Sequence, residues 1–480
     1  MKLATKIAYN TIIQIISKII TTILGLIAIA MITRYLGTKG FGEYTTIITF
    51  LSFFAIIADL GLTLVTVQLI SQPEANEEKI LGNLLGLRLV SAFLFIGAGP
   101  LFVLFFPYSS AIKLGVALAA LSFFFIALNQ VLVGIFQKNL RMDKVSIAEV
   151  ISRIILVLGI FLAINFNTGI NGILIATVIS SFINFFFHLF FSKSFARIKL
   201  RFDFKYWLEI FKKSWPLAVT IIFNLIYLKT DTLLLSIIPR DSSVGIIAEV
   251  GLYGAAYKVI DVLVTFPFMF AGIVLPIMTS SWAASNPQRF KNVLQKSFDI
   301  MVIMAVPLVI GTQLVAQDVI TLVAGSEFAL AGPILRLLIL ASGFIFLGNM
   351  FAHAVIAIDK QRNIISAYFF VAITSLIGYL FLIPKYSYFG AAYVTIYSEA
   401  AIAIASFWLV YKFTKFFPSL VVFMKATLAS ILMYLVINFC YYTFTNNLFI
   451  ILSLAIVSYG VILLALGGLK KEDLLSLINK

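Results

Sequence analysis

The chain has 480 residues, 62% of them hydrophobic and only 11% charged, with a mean hydropathy of +1.08. That balance excludes an ordinary soluble domain and a disordered polyelectrolyte. One cysteine (Cys440) and two histidines (His188 and His353) exclude a disulfide framework and leave too few ligands for a Cys/His metal centre, so no cofactor and no metal are expected.

Apolar runs of about 20 residues, long enough to cross a hydrocarbon core as helix, recur from Ile7 to Leu469. They are apolar all round, whereas strands of a membrane barrel alternate, so the expected class is an all-α integral membrane protein. In chain order, spans are expected near residues 8–33, 42–70, 80–106, 112–136, 146–165, 170–192, 214–238, 251–279, 292–316, 332–358, 364–384, 389–411, 420–443 and 447–467, fourteen in all. The first of them, behind Lys2 and Lys6, continues to Ile32 and is followed by many more. It is therefore expected to be a retained helix rather than a cleaved signal.

With the N-terminus placed inside, the inner loops and tails carry 23 Lys and Arg and the outer loops 5. This asymmetry predicts that both termini are cytoplasmic. The net charge of +15 then follows from topology and calls for no nucleic acid, although the basic run Lys193 to Lys213 also suits an anionic lipid surface.

The chain repeats itself. FIALNQ (Phe125 to Gln130) returns as FIFLGN (Phe344 to Asn349), and Gly172, Thr177 and Ser180 return as Gly390, Thr395 and Ser398. GFGEY (Gly40 to Tyr44) has a loose echo in GLYGAAY (Gly251 to Tyr257). Near-equal offsets point to duplication of a six-span unit. An even number of spans returns the chain to its starting side, so the halves are expected to be parallel repeats. The expected organisation is a six-helix bundle over residues 1–200, a second over 201–412, and two further helices with a short tail over 413–480. Two such bundles that rock about a shared cavity form a transporter architecture.

Charges inside the apolar runs cost several kcal/mol each unless they face a polar cavity or a partner, which makes them candidates for function. The cations are Lys18, Arg88, Arg153, Lys229 and Lys258; the anions are Asp59, Asp231, Asp261 and Glu399, with Glu149 four residues before Arg153. Lys229 and Asp231 point about 200° apart on a helix, so each needs a partner elsewhere, and Asp231 with Lys258 is one available pair. Lys258 and Asp261, three apart, can meet on one face. Glu149 and Arg153 can neutralise each other at i, i+4, while Lys18, Arg88 and Lys425 can reach a cytoplasmic interface. His188 and His353 read as packing residues rather than proton carriers. GTKGFG lacks the Lys-Ser/Thr of a phosphate loop and reads as a turn.

Four segments in this order, RYLGTKGFGEYTTI (Arg34 to Ile47), ADLGL (Ala58 to Leu62), KTDTLLLS (Lys229 to Ser236) and GLYGAAYKVID (Gly251 to Asp261), resemble the Wzx-type lipid-linked oligosaccharide flippases of the multidrug/oligosaccharidyl-lipid/polysaccharide exporter superfamily. The resemblance implies a multi-pass plasma-membrane protein that moves a polyprenyl-pyrophosphate-linked oligosaccharide from the cytoplasmic to the outer leaflet. It also implies a basic central cavity, with Lys229 and Asp231 in one motif and Lys258 and Asp261 in another; Lys18, Arg88 and Arg153 rest on their intramembrane position. Membrane lipids, and a glycan polymerase or ligase, are the partners such a role brings. Two other readings stay open: a drug or organic-cation antiporter of the same superfamily, and a membrane glycosyltransferase or polymerase using the same lipid carrier. The enzyme fits less well, because the outer loops are short and the stretch Gln317 to Ala331 offers only Asp318 and Glu327 as acids.

Overall fold

A computed structural model describes residues 3–468 apart from 60, 63–65, 67–68, 71–75 and 197, and leaves undescribed the side chains of 3–8, 11, 213, 216–221 and 224–228. Arg197, Lys2 and the basic tail beyond Gly468, which enter the count of inner charges, lie outside the described residues. Among those described there is helix and no strand.

Among the described residues the main helices are α1 (Leu3–Asp59), α2 (Glu77–Phe105), α3 (Ser110–Lys138), α4 (Met142–Asn165), α5 (Gly169–Ser192), α6 (Phe204–Ile237), α7 (Ile246–Leu263), α8 (Thr265–Ala283), α9 (Pro287–Ala324), α10 (Gly332–Ala357), α11 (Gln361–Thr414), α12 (Val421–Thr443) and α13 (Leu448–Ala465). Among the described residues, 11 helical stretches are long and apolar enough to cross a membrane. Large apolar side chains cover their outer faces, with Phe105 87% and Phe381 73% exposed, as lipid contact requires.

Two of the longest helices break internally. In α1 the break is at Gly37, whose φ of 65° is open to glycine without strain; in α11 it is at Ser387, at φ 52°. Short polar caps start several of the others. Asn76 accepts from the Lys79 amide at 2.9 Å, Asp203 from Tyr206 at 3.2 Å and Asn286 from Arg289 at 2.9 Å. α2 loosens into a π turn over Ala92–Ile96, one turn beyond Arg88.

The chain forms two compact units, Met1–Gly251 and Leu252–Lys480. This boundary lies later than the division at residue 200 expected from the repeat, and the packing of α6 explains why. The extended connector before it runs over the glycine face of α2: the Arg201 amide donates to the Gly82 carbonyl at 3.1 Å and the Asp203 amide to Asn83 Oδ1 at 3.0 Å. A Cβ at Gly82 would overlap the Lys199 carbonyl, and one at Gly86 the Arg201 carbonyl. Glu78 adds ion pairs to Arg201 (3.3 Å) and Lys199 (3.8 Å). At the other end of α6, Ser236 shares a hydrogen bond of 2.7 Å with Tyr108. Just beyond, Arg240 donates to the Leu235 and Ile238 carbonyls while paired with Glu249 at 2.6 Å. Arg240, expected in an outer loop, is thus a buried cap on the helix end rather than a surface charge. Gly86→Leu is expected to unseat the connector, seen as severalfold faster protease cleavage between residues 193 and 203 in detergent while the helices stay protected.

In the second unit the core gathers Phe290, Phe298, Met301, Phe346, Phe351 and Ala354 from α9 and α10, with Val410 of α11. α12 and α13 dock on α9 through two hydrogen bonds and one apolar contact at defined points. Tyr441 donates to Asp318 at 2.9 Å and Tyr459 to the Ile303 carbonyl at 2.8 Å, and Met433 reaches Gly311. Lys425 donates to the Gly467 carbonyl at 3.0 Å.

Candidate functional site

Within the first unit, the polar residues of four apolar helices converge on one cavity of about 480 Å³, a volume typical of small-ligand sites. Its wall follows helical spacing. From α5 come Thr177, Ser180, Ser181, Asn184 and His188; from α4, Glu149, Ser152 and Arg153; from α3, Asn129, Gln130 and Gln137; from α1, Lys18 and Thr21. Steps of three and four place each set on one face of its helix, the inverse of a surface helix in water: here the polar stripe faces inward and the apolar faces look out.

Three charges share this cavity. Glu149 lies within electrostatic reach of both Lys18 and Arg153, yet among the described residues none of the three forms a direct ion pair. The neutralisation of Glu149 by Arg153 expected from their i, i+4 spacing is therefore not a contact pair. Two cations and one anion leave the cavity with an excess of one positive charge, carried on side chains that remain exposed.

A hydrogen-bonded chain forms the inner wall. Ser152 donates to the Glu149 carbonyl at 2.9 Å and accepts from Asn184 Nδ2 at 2.9 Å; Asn129 Nδ2 donates to Asn184 Oδ1 at 2.6 Å. Ser180 donates to the Ser152 carbonyl at 2.8 Å, and Ser122 and Ser181 share a bond of 2.6 Å. His188 holds the Asn184 carbonyl through Nδ1 at 2.8 Å. Charge does not single out Asn129, Gln137, Ser152, Asn184 or His188 for this wall; the signal in the sequence that does is the polar stripe at residues 177, 180, 181, 184 and 188, spaced by three and four.

Arg88 stands behind that wall. It is fully buried: Nε donates to the Ala127 carbonyl at 2.9 Å, one terminal nitrogen to the Ala58 carbonyl at 3.2 Å, and the other to Asp59 at 2.5 Å and to Gln130 Oε1. Ser91 adds a second bond to the Ala58 carbonyl at 2.8 Å. The ADLGL segment thus ends α1 on a guanidinium clamp that ties together α1, α2 and α3, with Gly61 at φ 71° turning the chain away. Arg88 and Asp59, expected as cavity cation and separate charge partner, form one enclosed pair, and Gln130, which accepts from Arg88, also lines the cavity.

The remaining expected site residues lie on α6, α7 and α11. Asp231 is fully buried in α6 and accepts from the Thr232 amide at 2.5 Å and its hydroxyl at 3.1 Å; Lys229 is half-buried two residues earlier. In the second unit, Lys258 pairs with Asp261 along α7 at 3.3 Å, the i, i+3 contact foreseen from spacing, and Glu399 is buried on α11 within electrostatic reach of Tyr368. Among the described residues no group of three His, Cys, Asp or Glu could hold a metal ion.

Comparison with solved structures places this fold among membrane transporters. A lipid II flippase, MurJ, in an inward closed conformation superposes with a TM-score of 0.76 at 18% identity, over 96% of this chain and 99% of that one. An inward-facing multidrug-resistance MATE transporter of the MOP superfamily gives 0.68 at 14% identity, over 82% and 94%. A MOP superfamily transporter from Pyrococcus furiosus, described as having a binding pocket of reversed polarity, gives 0.61 at 15%, over 85% and 95%. No curated protein matches by sequence. Residues 7–282, more than half the chain, match the family described as polysaccharide biosynthesis protein. The chain is therefore a multi-pass membrane protein of the polysaccharide biosynthesis protein family, with the fold of the MOP superfamily transporters.

Proposed function

We propose that the protein is a flippase that carries a polyprenyl-pyrophosphate-linked oligosaccharide from the cytoplasmic to the outer leaflet of the cell membrane, its phosphates held by Lys18 and Arg153. The observation that carries this reading is the polar cavity of about 480 Å³ with two exposed cations and an amide and hydroxyl wall, enclosed by helices that are apolar outside. A pyrophosphate bearing sugars cannot cross hydrocarbon, because its oxygens and hydroxyls lose their water partners at several kcal/mol each. Ammonium and guanidinium groups replace that water, the guanidinium with two parallel hydrogen bonds. The fold shared with a lipid II flippase supports a lipid-linked substrate.

In this reading the breaks at Gly37 and Ser387 each divide one long helix into two crossings and α6 supplies one more, which gives fourteen, with both termini cytoplasmic. The repeats over 1–200 and 201–412 alternate access to a central cationic cavity, and residues 413–480 are appended. Lys229 and Lys258 extend the cationic path, Asp231, Asp261 and Glu399 serve as charge partners or in ion coupling, and a glycan polymerase or ligase receives the product.

The test uses vesicles containing the purified protein and a fluorescent polyprenyl-pyrophosphate-linked sugar, with leaflet-resolved quenching as readout. Lys18→Ala and Arg153→Ala are each expected to slow translocation by about tenfold to a hundredfold, the range for losing a hydrogen bond between charged groups. Unchanged rates in both variants would refute the assignment. Loss of organic-cation efflux in Glu149→Gln, with no movement of the lipid-linked sugar in wild type, would favour the antiporter.

A further inference from the structure

We propose that the inner wall of this cavity, centred on Asn184, is a subsite for the first sugar of the head group, which it recognises through two hydrogen-bond acceptors, Asn129 Oδ1 and His188 Nε2. The proposal rests on the flippase reading above and adds to it a determinant of which glycan is accepted.

The acceptor character follows from the hydrogen-bond chain. Ser152 spends its hydroxyl proton on the Glu149 carbonyl, so its oxygen accepts from Asn184 and must face that side chain's NH₂. Asn184 therefore turns its Oδ1 toward Asn129, which must answer with its own NH₂. This leaves Asn129 Oδ1 buried and without a partner among the described residues. The ring of His188 is fixed in the same manner. Its Nδ1 meets a backbone carbonyl, which can only accept, so the proton sits on Nδ1 and Nε2 is an acceptor, also without a partner. Asn129 is 8% and His188 1% exposed, and both line the cavity. Buried acceptors left bare cost about 1–3 kcal/mol each, so two of them on residues lining one cavity mark a place where a donor is meant to enter.

The chemistry of that donor is narrowed by its surroundings. Two bare acceptors repel an anion, so they are not part of the phosphate site. Lys18 and Arg153 in the same cavity oppose a bound metal cation. A neutral group with O–H or N–H donors, carried next to an anion, satisfies both halves of the cavity, and a pyranose attached to a pyrophosphate is that combination. The edge-on ring of Phe136, with centroids 5.8 Å apart, keeps the His188 imidazole in place.

The experiment measures binding of the full-length protein in nanodiscs to polyprenyl pyrophosphate and to the same lipid bearing glucose, galactose or N-acetylglucosamine. Wild type is expected to bind at least one sugar-bearing lipid about tenfold or more tighter than the bare pyrophosphate. Asn129→Leu and His188→Phe are expected to bring the affinity for the sugar-bearing lipid down to that for the bare pyrophosphate, with some loss of thermal stability from the bonds to Asn184 that they remove, and His188→Gln, which keeps an acceptor, to retain part of the increment. Lys18→Ala is expected to weaken both ligands alike. A sugar increment that survives in both variants, or that is absent in wild type for all three sugars, overturns the subsite. So does an effect of these variants on sodium binding alone. Failure of wild type to bind even bare polyprenyl pyrophosphate rejects the flippase reading itself, which separates the two outcomes.

Discussion

Replacing Arg88 with alanine is expected to destabilise the protein by about 3–5 kcal/mol, the usual cost of removing one member of a buried ion pair. Two neighbouring helices lose a common donor at once: the Ala58 carbonyl and Asp59 carboxylate of α1 and the Ala127 carbonyl of α3 all accept from this one guanidinium. Arg88→Lys is expected to restore little, because a single ammonium cannot span acceptors on α1 and α3 in the planar fork that Arg88 uses. The double variant Arg88→Met with Asp59→Asn is expected to recover most of the stability, since no charge then remains to be compensated. Thermal unfolding in detergent measures all three. If Arg88→Ala unfolded like wild type and yet lost transport, Arg88 would be a substrate contact and the clamp would be dispensable.

The second large effect is expected at the crossing of α1 and α7. A Cβ at Gly42 would overlap the Ile247 carbonyl and approach the Gly251 amide; a Cβ at Gly251 would overlap the Thr38 carbonyl and approach the Gly42 amide. The obstacle is backbone on both sides, so no rotamer change relieves it. Gly42→Val and Gly251→Val are each expected to cost about 3 kcal/mol or more, at the upper end for overpacking a tight contact, and to reduce folded yield accordingly. Gly25→Val serves as the control, because nothing lies within 4 Å of a Cβ there. Wild-type yield from Gly251→Val would mean that the two helices can separate at this point without loss. This crossing also gives two glycines of the repeated motifs, Gly42 of GFGEY and Gly251 of GLYGAAY, a physical role: they let backbone approach backbone.

Much of the site was half-visible in the sequence. Lys18 and Arg153 could be chosen as intramembrane cations from their position alone, and both line the cavity. The Lys258 and Asp261 pair was legible because i, i+3 spacing on a helix fixes adjacency. The clamp around Arg88 was not legible, because its partners come from 29 to 42 positions away on other helices, and helical periodicity says nothing about which helices meet. Likewise the neutral residues Asn129, Asn184 and His188 drew less notice than the charges, since a single amide in an apolar run is inexpensive and only its convergence with others gives it meaning.

The sequence by itself determined that the chain is helical and lies in a membrane, since length and hydropathy of the runs leave hydrocarbon-facing backbone no other way to satisfy its hydrogen bonds. It also determined the inventory of charges inside those runs. Tertiary structure alone decided which charges are enclosed and which remain available. Arg88 and Arg153 are the same residue type at similar depth in their helices, yet one meets a carboxylate and three oxygen acceptors while the other meets a cavity. The difference arises from side-chain contacts between helices far apart in the chain, and these form only when the helices pack.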